Sequence, residues 1–416
     1  MRKLNDWSGP QGPASSNLGF IFLIAGVFLV PLAAWVSIPG ANVWYSQLVV
    51  YWCLTAAYLS LNIWSFNKPL SVLCLNSSFS AFFVANQQPR ALIVLTCLFF
   101  GVYLAFFISK LARPQLELLL TCLLWLAGAN AIYTLVQVFN LDPFFYYVDT
   151  LGRAHHELDS AVGFLGNGNQ AALFWAVLSP VILSYAWWLL PAAIFGLWQA
   201  TTTVCWLAFM VATLWWCWLF QRKIFMLFFA FIISASLVFF MRFELISARK
   251  IIERVELVQH CVKEVTTGRA TMRRVNGQVE QRQEITANPL FGFGLGNFMR
   301  ISPLTQWQFL DKSIKKGDGN PIHRYEHAHN DYVEYFYETG WVGLVVLCWV
   351  LVDFAWRFIK ANKTKLLVTS FLAVVAQLVC AMGIYTVQTI LSATLLVIFL
   401  GIFYSEEKHG QPTAVV

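Results

Sequence analysis

WVGLVVLCWVLVDFAWRFI, residues 341–359, holds one acid and one base among 19 positions. A helix rises about 1.5 Å per residue, so this stretch would be about 28 Å long, close to the ~30 Å hydrocarbon core of a bilayer. Its two charges, Asp353 and Arg357, stand four apart near one end and read as a structural pair. Outward from it, apolar stretches recur at 18–38, 43–66, 70–85, 91–109, 116–139, 170–187, 188–200, 201–220, 223–241, 366–386 and 388–404. Together they predict an all-α polytopic membrane protein of about twelve transmembrane helices. Gln199-Ala200-Thr201-Thr202-Thr203 interrupts a longer apolar run, which predicts two short helices meeting at a polar break.

Composition agrees. With 58% hydrophobic and 12% charged residues and a mean hydropathy of +0.62, the chain is too apolar for a soluble fold of its length. Its many Trp, Tyr and Phe fit interfacial and lipid-facing positions and identify no ligand. Of nine cysteines only Cys261 lies in a polar stretch, so neither a disulfide framework nor a metal site is indicated. Leu18–Ile38 follows 17 polar residues without a prompt small-residue cleavage site, and reads as a retained first span.

Twelve spans put both termini on one side. Lys68, Lys110 and Arg113, Arg222 and Lys223, and Arg357 to Lys365 emerge on that same side with Arg2, Lys3 and Lys408, which the positive-inside rule makes cytoplasmic; Arg90 is the one short-loop exception. Two longer polar stretches, 140–169 and 242–340, then fall outside the cytoplasm. The second carries many arginines and would suit an anionic partner such as a diphosphate. Nucleic acid is not expected there.

Three blocks could carry chemistry. Glu326-His327-Ala328-His329-Asn330-Asp331-Tyr332 runs into Glu334, Glu338, Thr339 and Gly340 just before the quoted span. Asn330 or Asp331 can cap a helix there, with Val333, Phe336 and Tyr337 on the face of His329 and Gly340 past its end. A histidine at such a start can take a proton near neutral pH, or can be an interfacial residue satisfied by water. His323, His327 and His329 lack the spacing of a zinc site.

The second block is Gly268-Arg269, then Arg273, Arg274 and Arg282, then Asn288-Pro289-Leu290-Phe291-Gly292-Phe293-Gly294. Arginine forks suit phosphate oxygens and the glycines allow close backbone approach, although an arginine run is commonly just a solvated helix face. Upstream, Phe243–Val265 predicts an amphipathic helix lying along the membrane surface. The third block, Gly163–Ala171, enters a span with Asn167 and Asn169 at its mouth and reads first as a turn.

Taken in chain order, Gly163–Ala171, then Gly268–Gly294, then His329–Gly340, the blocks resemble the O-antigen ligase and polymerase superfamily of bacterial membrane glycosyltransferases, and O-antigen ligase most. The resemblance implies transfer of a preassembled glycan from undecaprenyl diphosphate to an acceptor hydroxyl, at the periplasmic face of the inner membrane, without metal or other cofactor. It divides the chain into an N-terminal bundle (1–241), a large, mainly helical periplasmic catalytic loop (242–340), and C-terminal spans with a short cytoplasmic tail (341–416). Carried over by position, it makes Arg269 and His329 catalytic, the first on the diphosphate and the second on the acceptor. It makes Arg273, Arg274, Arg153, Asn169, Asn330, Tyr332 and Glu338 substrate-binding.

One position departs from the family pattern. Thr201-Thr202-Thr203 is followed by Val204 and Cys205 where many members carry an arginine, so a second diphosphate ligand would come from Arg273, Arg274, Arg153 or Arg282. The expected partners are the lipid-linked glycan, lipid A–core or another glycan or lipid acceptor, and membrane lipids. Polymerase ranks second, and a protein O-oligosaccharyltransferase is a further relative. A flippase or transporter for lipid-linked sugar is the rival of another class, and the near absence of charge inside the spans disfavours it.

Overall fold

The computed structural model describes residues 101–139, 141, 146–148, 154–156, 163–165, 168–200, 202–220, 248–276, 279–298, 330–384, 386 and 390–409, with isolated positions between 73 and 98. For 146–148, 154–156, 200, 248–254, 256, 257, 271–276, 279–285, 390 and 409 only the backbone is described. The predicted spans at 18–38, 43–66 and 223–241 lie outside the described residues, as does most of 70–85 and 91–98.

Helix α1, Arg113–Val138, starts where Pro114 supplies a pre-set φ and Gln115 accepts the Ala112 N–H at 3.0 Å. It buries Leu116, Leu119, Leu120, Leu123 and Ala127, while Leu118, Trp125 and Ile132 stay exposed. Apolar groups on both faces are what a helix between protein and lipid requires.

Two short strands, β1 (Tyr146–Val148) and β2 (Ala154–His156), pair antiparallel before α2, Gly168–Tyr185. Helix α2 is the central post: Ala171 to Leu178, Val181 and Ile182 are all buried. Its interior Pro180 leaves the Ala176 carbonyl without a helix donor, and Ser179 Oγ donates to that oxygen at 2.8 Å. Helices α3 (Leu190–Ala200) and α4 (Thr203–Phe220) meet at Thr202, as the polar break predicts. Helix α3 is about 16 Å long, short of a bilayer core by itself.

The 242–340 segment contributes α5, Ala248–Thr267, in place of the predicted 243–265, and then a hairpin of β3 (Arg269–Asn276) and β4 (Val279–Thr286). Their register runs from Arg269 opposite Thr286 to Asn276 opposite Val279. The two hairpins correct an all-α expectation for a fold that is otherwise helical. They also move the Arg269–Arg274 run from a helix face onto a strand.

Helix α6, Asp331–Lys360, contains the quoted span and ten residues ahead of it, with a break at Gly340 (φ 66°). Helices α7 (Lys365–Cys380) and α8 (Ile390–His409) close the bundle. Among the described residues three helices are long and apolar enough to cross a membrane: α1, α4 and α6.

Polar groups tie the bundle together from within. Ser184 Oγ and Thr369 Oγ1 lie 2.6 Å apart, and Trp216 Nε1 donates to Ser184 Oγ at 2.8 Å, linking α2, α7 and α4. Such bonds between membrane helices average about 0.6 kcal/mol each.

One end of the bundle is basic. Arg357 pairs with Asp353 (2.6 Å) and reaches Glu407 (3.5 Å), Thr364 donates to Glu406 (2.7 Å), and Ser405 donates to the Leu111 carbonyl (3.4 Å). Lys110, Arg357, Lys360, Lys363, Lys365 and Lys408, at or beside helix ends, therefore gather at that end.

Candidate functional site

The opposite end collects the sequence blocks. At the start of α2, Asn169 Oδ1 accepts from Thr202 Oγ1 at 2.9 Å, which joins the Gly163–Ala171 block to the α3–α4 break. Ahead of it Gly163 (φ 68°) makes a turn that α1 holds. Its N–H donates to Gln137 at 2.7 Å, Asn130 Oδ1 accepts from Phe164 N at 2.9 Å, and Tyr133 stacks on Phe164 with ring centroids 4.4 Å apart. One turn beyond Thr202, Cys205 Sγ lies 3.6 Å from Cys380 Sγ at the end of α7.

The turn after Cys380 receives the start of α6. Asp331 N donates to the Ala381 carbonyl (3.0 Å), Asn330 Nδ2 to the Met382 carbonyl (3.1 Å) and Tyr332 Oη to the Leu378 carbonyl (2.8 Å). Asp331 Oδ2 accepts from both Thr386 N and Thr386 Oγ1, at 2.6 and 2.7 Å. Asn330 is the N-cap, its Oδ1 accepting the N–H groups of Tyr332 and Val333 at 3.1 Å each.

The first and second blocks meet at Gly340. A helix break leaves carbonyls above it and N–H groups below it without helical partners. The 289–294 loop supplies them. Phe293 N and Gly294 N donate to the carbonyls of Tyr337 (3.1 Å) and Glu338 (2.9 Å), while Trp341 N and Val342 N donate to those of Pro289 (3.2 Å) and Leu290 (3.0 Å).

The approach is possible because both contacting residues are glycine with positive φ. A Cβ on Gly292 would stand 2.6 Å from Gly340 N, and one on Gly340 would stand 2.5 Å from Gly292 N. Ser80 adds a third strand of contact, accepting from Leu295 N at 2.9 Å and donating to the Glu338 carbonyl at 3.3 Å.

A small core underlies this junction: Cys261 and Val265 of α5, Ala270 of β3, Phe293, Phe298, and Phe336 and Tyr337 of α6. Tyr337 stacks on Phe293 and meets Phe298 edge-on. Burial, with Glu264 and Glu334 adding to it, pushes the Cys261 thiol far above its ordinary range. Glu264 is buried here between two partners, accepting from Tyr337 Oη at 2.9 Å on one oxygen and standing 3.1 Å from His260 Nε2 on the other.

Among the predicted site residues, Arg269 is exposed at the start of β3 beside buried Ala270, and among the described residues its guanidinium forms no ion pair. Glu338 is buried and accepts Phe298 N at 3.0 Å, so one of its oxygens holds the glycine loop. Asn169, Asn330 and Tyr332 sit as given above. Arg273 and Arg274 lie on β3, with side chains outside the described ones; His329 and Arg153 lie outside the described residues altogether. Sequence reasoning missed Glu264, Ser80 and the Asn130/Gln137 pair. Only Glu264 left a trace, a carboxylate four residues after His260 on a helix.

Apolar helices, three of them long enough to cross a bilayer among the described residues, define a helical membrane protein, with a polar, arginine-bearing assembly at one end of the bundle. Residues 186–348 match a family model described as O-Antigen ligase. This match supports placing the chain in the O-antigen ligase and polymerase superfamily, and with it an activity of the glycosyltransferase type. The matched stretch runs from ahead of α3 to past Gly340 and so includes the first and second blocks, Glu326–Gly340 and Gly268–Gly294. No curated protein matches the chain.

Proposed function

We propose that the protein moves a preassembled glycan from undecaprenyl diphosphate to an acceptor hydroxyl, with lipid A–core as the acceptor, in the bacterial inner membrane. The basic end of the bundle faces the cytoplasm and the junction at Gly340 faces the periplasm. In the reaction the bond between the anomeric carbon and the diphosphate oxygen breaks while the acceptor oxygen bonds to that carbon. His329 takes the acceptor proton, and Arg269 stabilises the charge of the departing diphosphate.

The observation that carries this reading is the shared small core. Ala270, next to Arg269, and Phe336 and Tyr337, two turns into the helix that follows His329, pack in one cluster. A buried core fixes its members far better than a loop would, and Asn330 anchors the main chain one residue from His329.

The test uses protein reconstituted in liposomes with lipid-diphosphate-linked glycan, with and without lipid A–core. Product that forms only with the core supports ligation; chains that lengthen without it make the protein a polymerase. His329→Ala is expected to abolish transfer while the protein still folds and inserts. Arg269→Lys keeps the charge but loses the planar fork, and is expected to lose most activity. Wild-type transfer in either variant removes that residue from the mechanism.

A further inference from the structure

Glu264 is a buried carboxylate that no step above uses, and it stands where two elements meet. Its oxygens face different helices: Oε2 accepts from Tyr337 Oη of α6 at 2.9 Å, and Oε1 lies 3.1 Å from His260 Nε2, one turn earlier on α5. Five residues after Glu264, past the Gly268 turn (φ 63°), comes Arg269. Eight residues before Tyr337 comes His329. The Glu264–Tyr337 bond is a side-chain hydrogen bond that joins α5 to α6.

An apolar cluster sets how closely the two helices pack, but it does not fix their slide or rotation to a fraction of an ångström. A buried hydrogen bond to a carboxylate does so, because any shift leaves a charged group unsatisfied in a dry site.

We infer that Glu264 is a positioning residue: held by His260 and bonded to Tyr337, it sets the placement of Arg269 against the helix start that follows His329. This rests on the proposed role of Arg269 at the donor diphosphate. Removing the bond would loosen Arg269 and leave the acceptor side nearly untouched.

The experiment measures transfer in the same reconstituted system with Glu264→Gln and Tyr337→Phe, each alone and combined with Arg269→Lys, varying donor and acceptor separately. The donor KM is expected to rise about tenfold in either single variant, the loss of one charge-assisted bond, while the acceptor KM stays within about twofold. In the Arg269→Lys background the same substitutions should add little, because their effect runs through the missing fork.

Equal rises in both KM values, or losses that multiply with Arg269→Lys, would make Glu264 a purely structural residue and overturn the inference. So would wild-type kinetics in both single variants while Arg269→Lys is impaired. Wild-type kinetics in Arg269→Lys itself would instead remove the underlying role of Arg269. If Glu264→Gln does not fold, Tyr337→Phe alone decides, since it removes the same bond and keeps the ring.

Discussion

Gly292 and Gly340 are the residues on which the junction closes, and each excludes any other side chain. Gly292→Ala would force a left-handed conformation on a residue that disfavours it and press a methyl group onto Gly340 N and the Tyr337 carbonyl. The expected cost is about 3 kcal/mol or more, read as a lower midpoint of thermal unfolding in detergent together with lost transfer. Cys261 makes a second prediction at this scale. Its thiol titrates far above the ordinary range because it is buried beside Glu264 and Glu334. The thiolate fraction at neutral pH is then below that of a free cysteine, so maleimide should label Cys261 slowly in folded protein and quickly after denaturation. Gly340 was legible in the sequence as a stop after a capped helix, and Asn330 as its cap. The contact between Gly340 and Gly292 was not, because no local rule links residues 48 positions apart.

Helix α6 begins at Asn330 because that side chain satisfies two N–H groups of the first turn, and its amide also ties the start to the Met382 carbonyl. Asn330→Ala should destabilise this end by about 1 kcal/mol and lower transfer, checked by unfolding and by activity at saturating substrate. In α2, Ser179→Ala would orphan the Ala176 carbonyl above Pro180, with a similar expected cost. Helices were the easiest elements to foresee: the break at Thr202 and the amphipathic α5 follow from hydropathy and period alone. The β3–β4 hairpin escaped because its arginines mask the two-residue alternation. Asn276-Gly277 was the available sequence signal for a nearby turn, although in the register Asn276 is still paired, opposite Val279. Glu264 escaped for another reason: a carboxylate on an amphipathic helix looks solvated until a second element is packed on it.

Across the described molecule the basic helix ends lie at one end and the described parts of the three blocks at the other, which predicts a labelling pattern. With exposed Cys348 replaced by Ser, Thr286→Cys should react with an impermeant thiol reagent added outside spheroplasts. Arg113→Cys should react only after the membrane is permeabilised. The reverse pattern would invert the proposed orientation. Of the twelve predicted spans, three correspond to helices long and apolar enough to cross a membrane among the described residues, α1, α4 and α6, and the packing of α2, α7 and α8 in the bundle came only from the structure. The break in α6 also separates two angular phases. In an uninterrupted helix, one residue inserted into the lipid-facing part would swing everything above it by about 100°. Here the turn at Gly340 is pinned on both sides by the 289–294 loop. A span lengthened or shortened to suit a different bilayer thickness can therefore rotate beneath the junction while the upper turns keep their bearing.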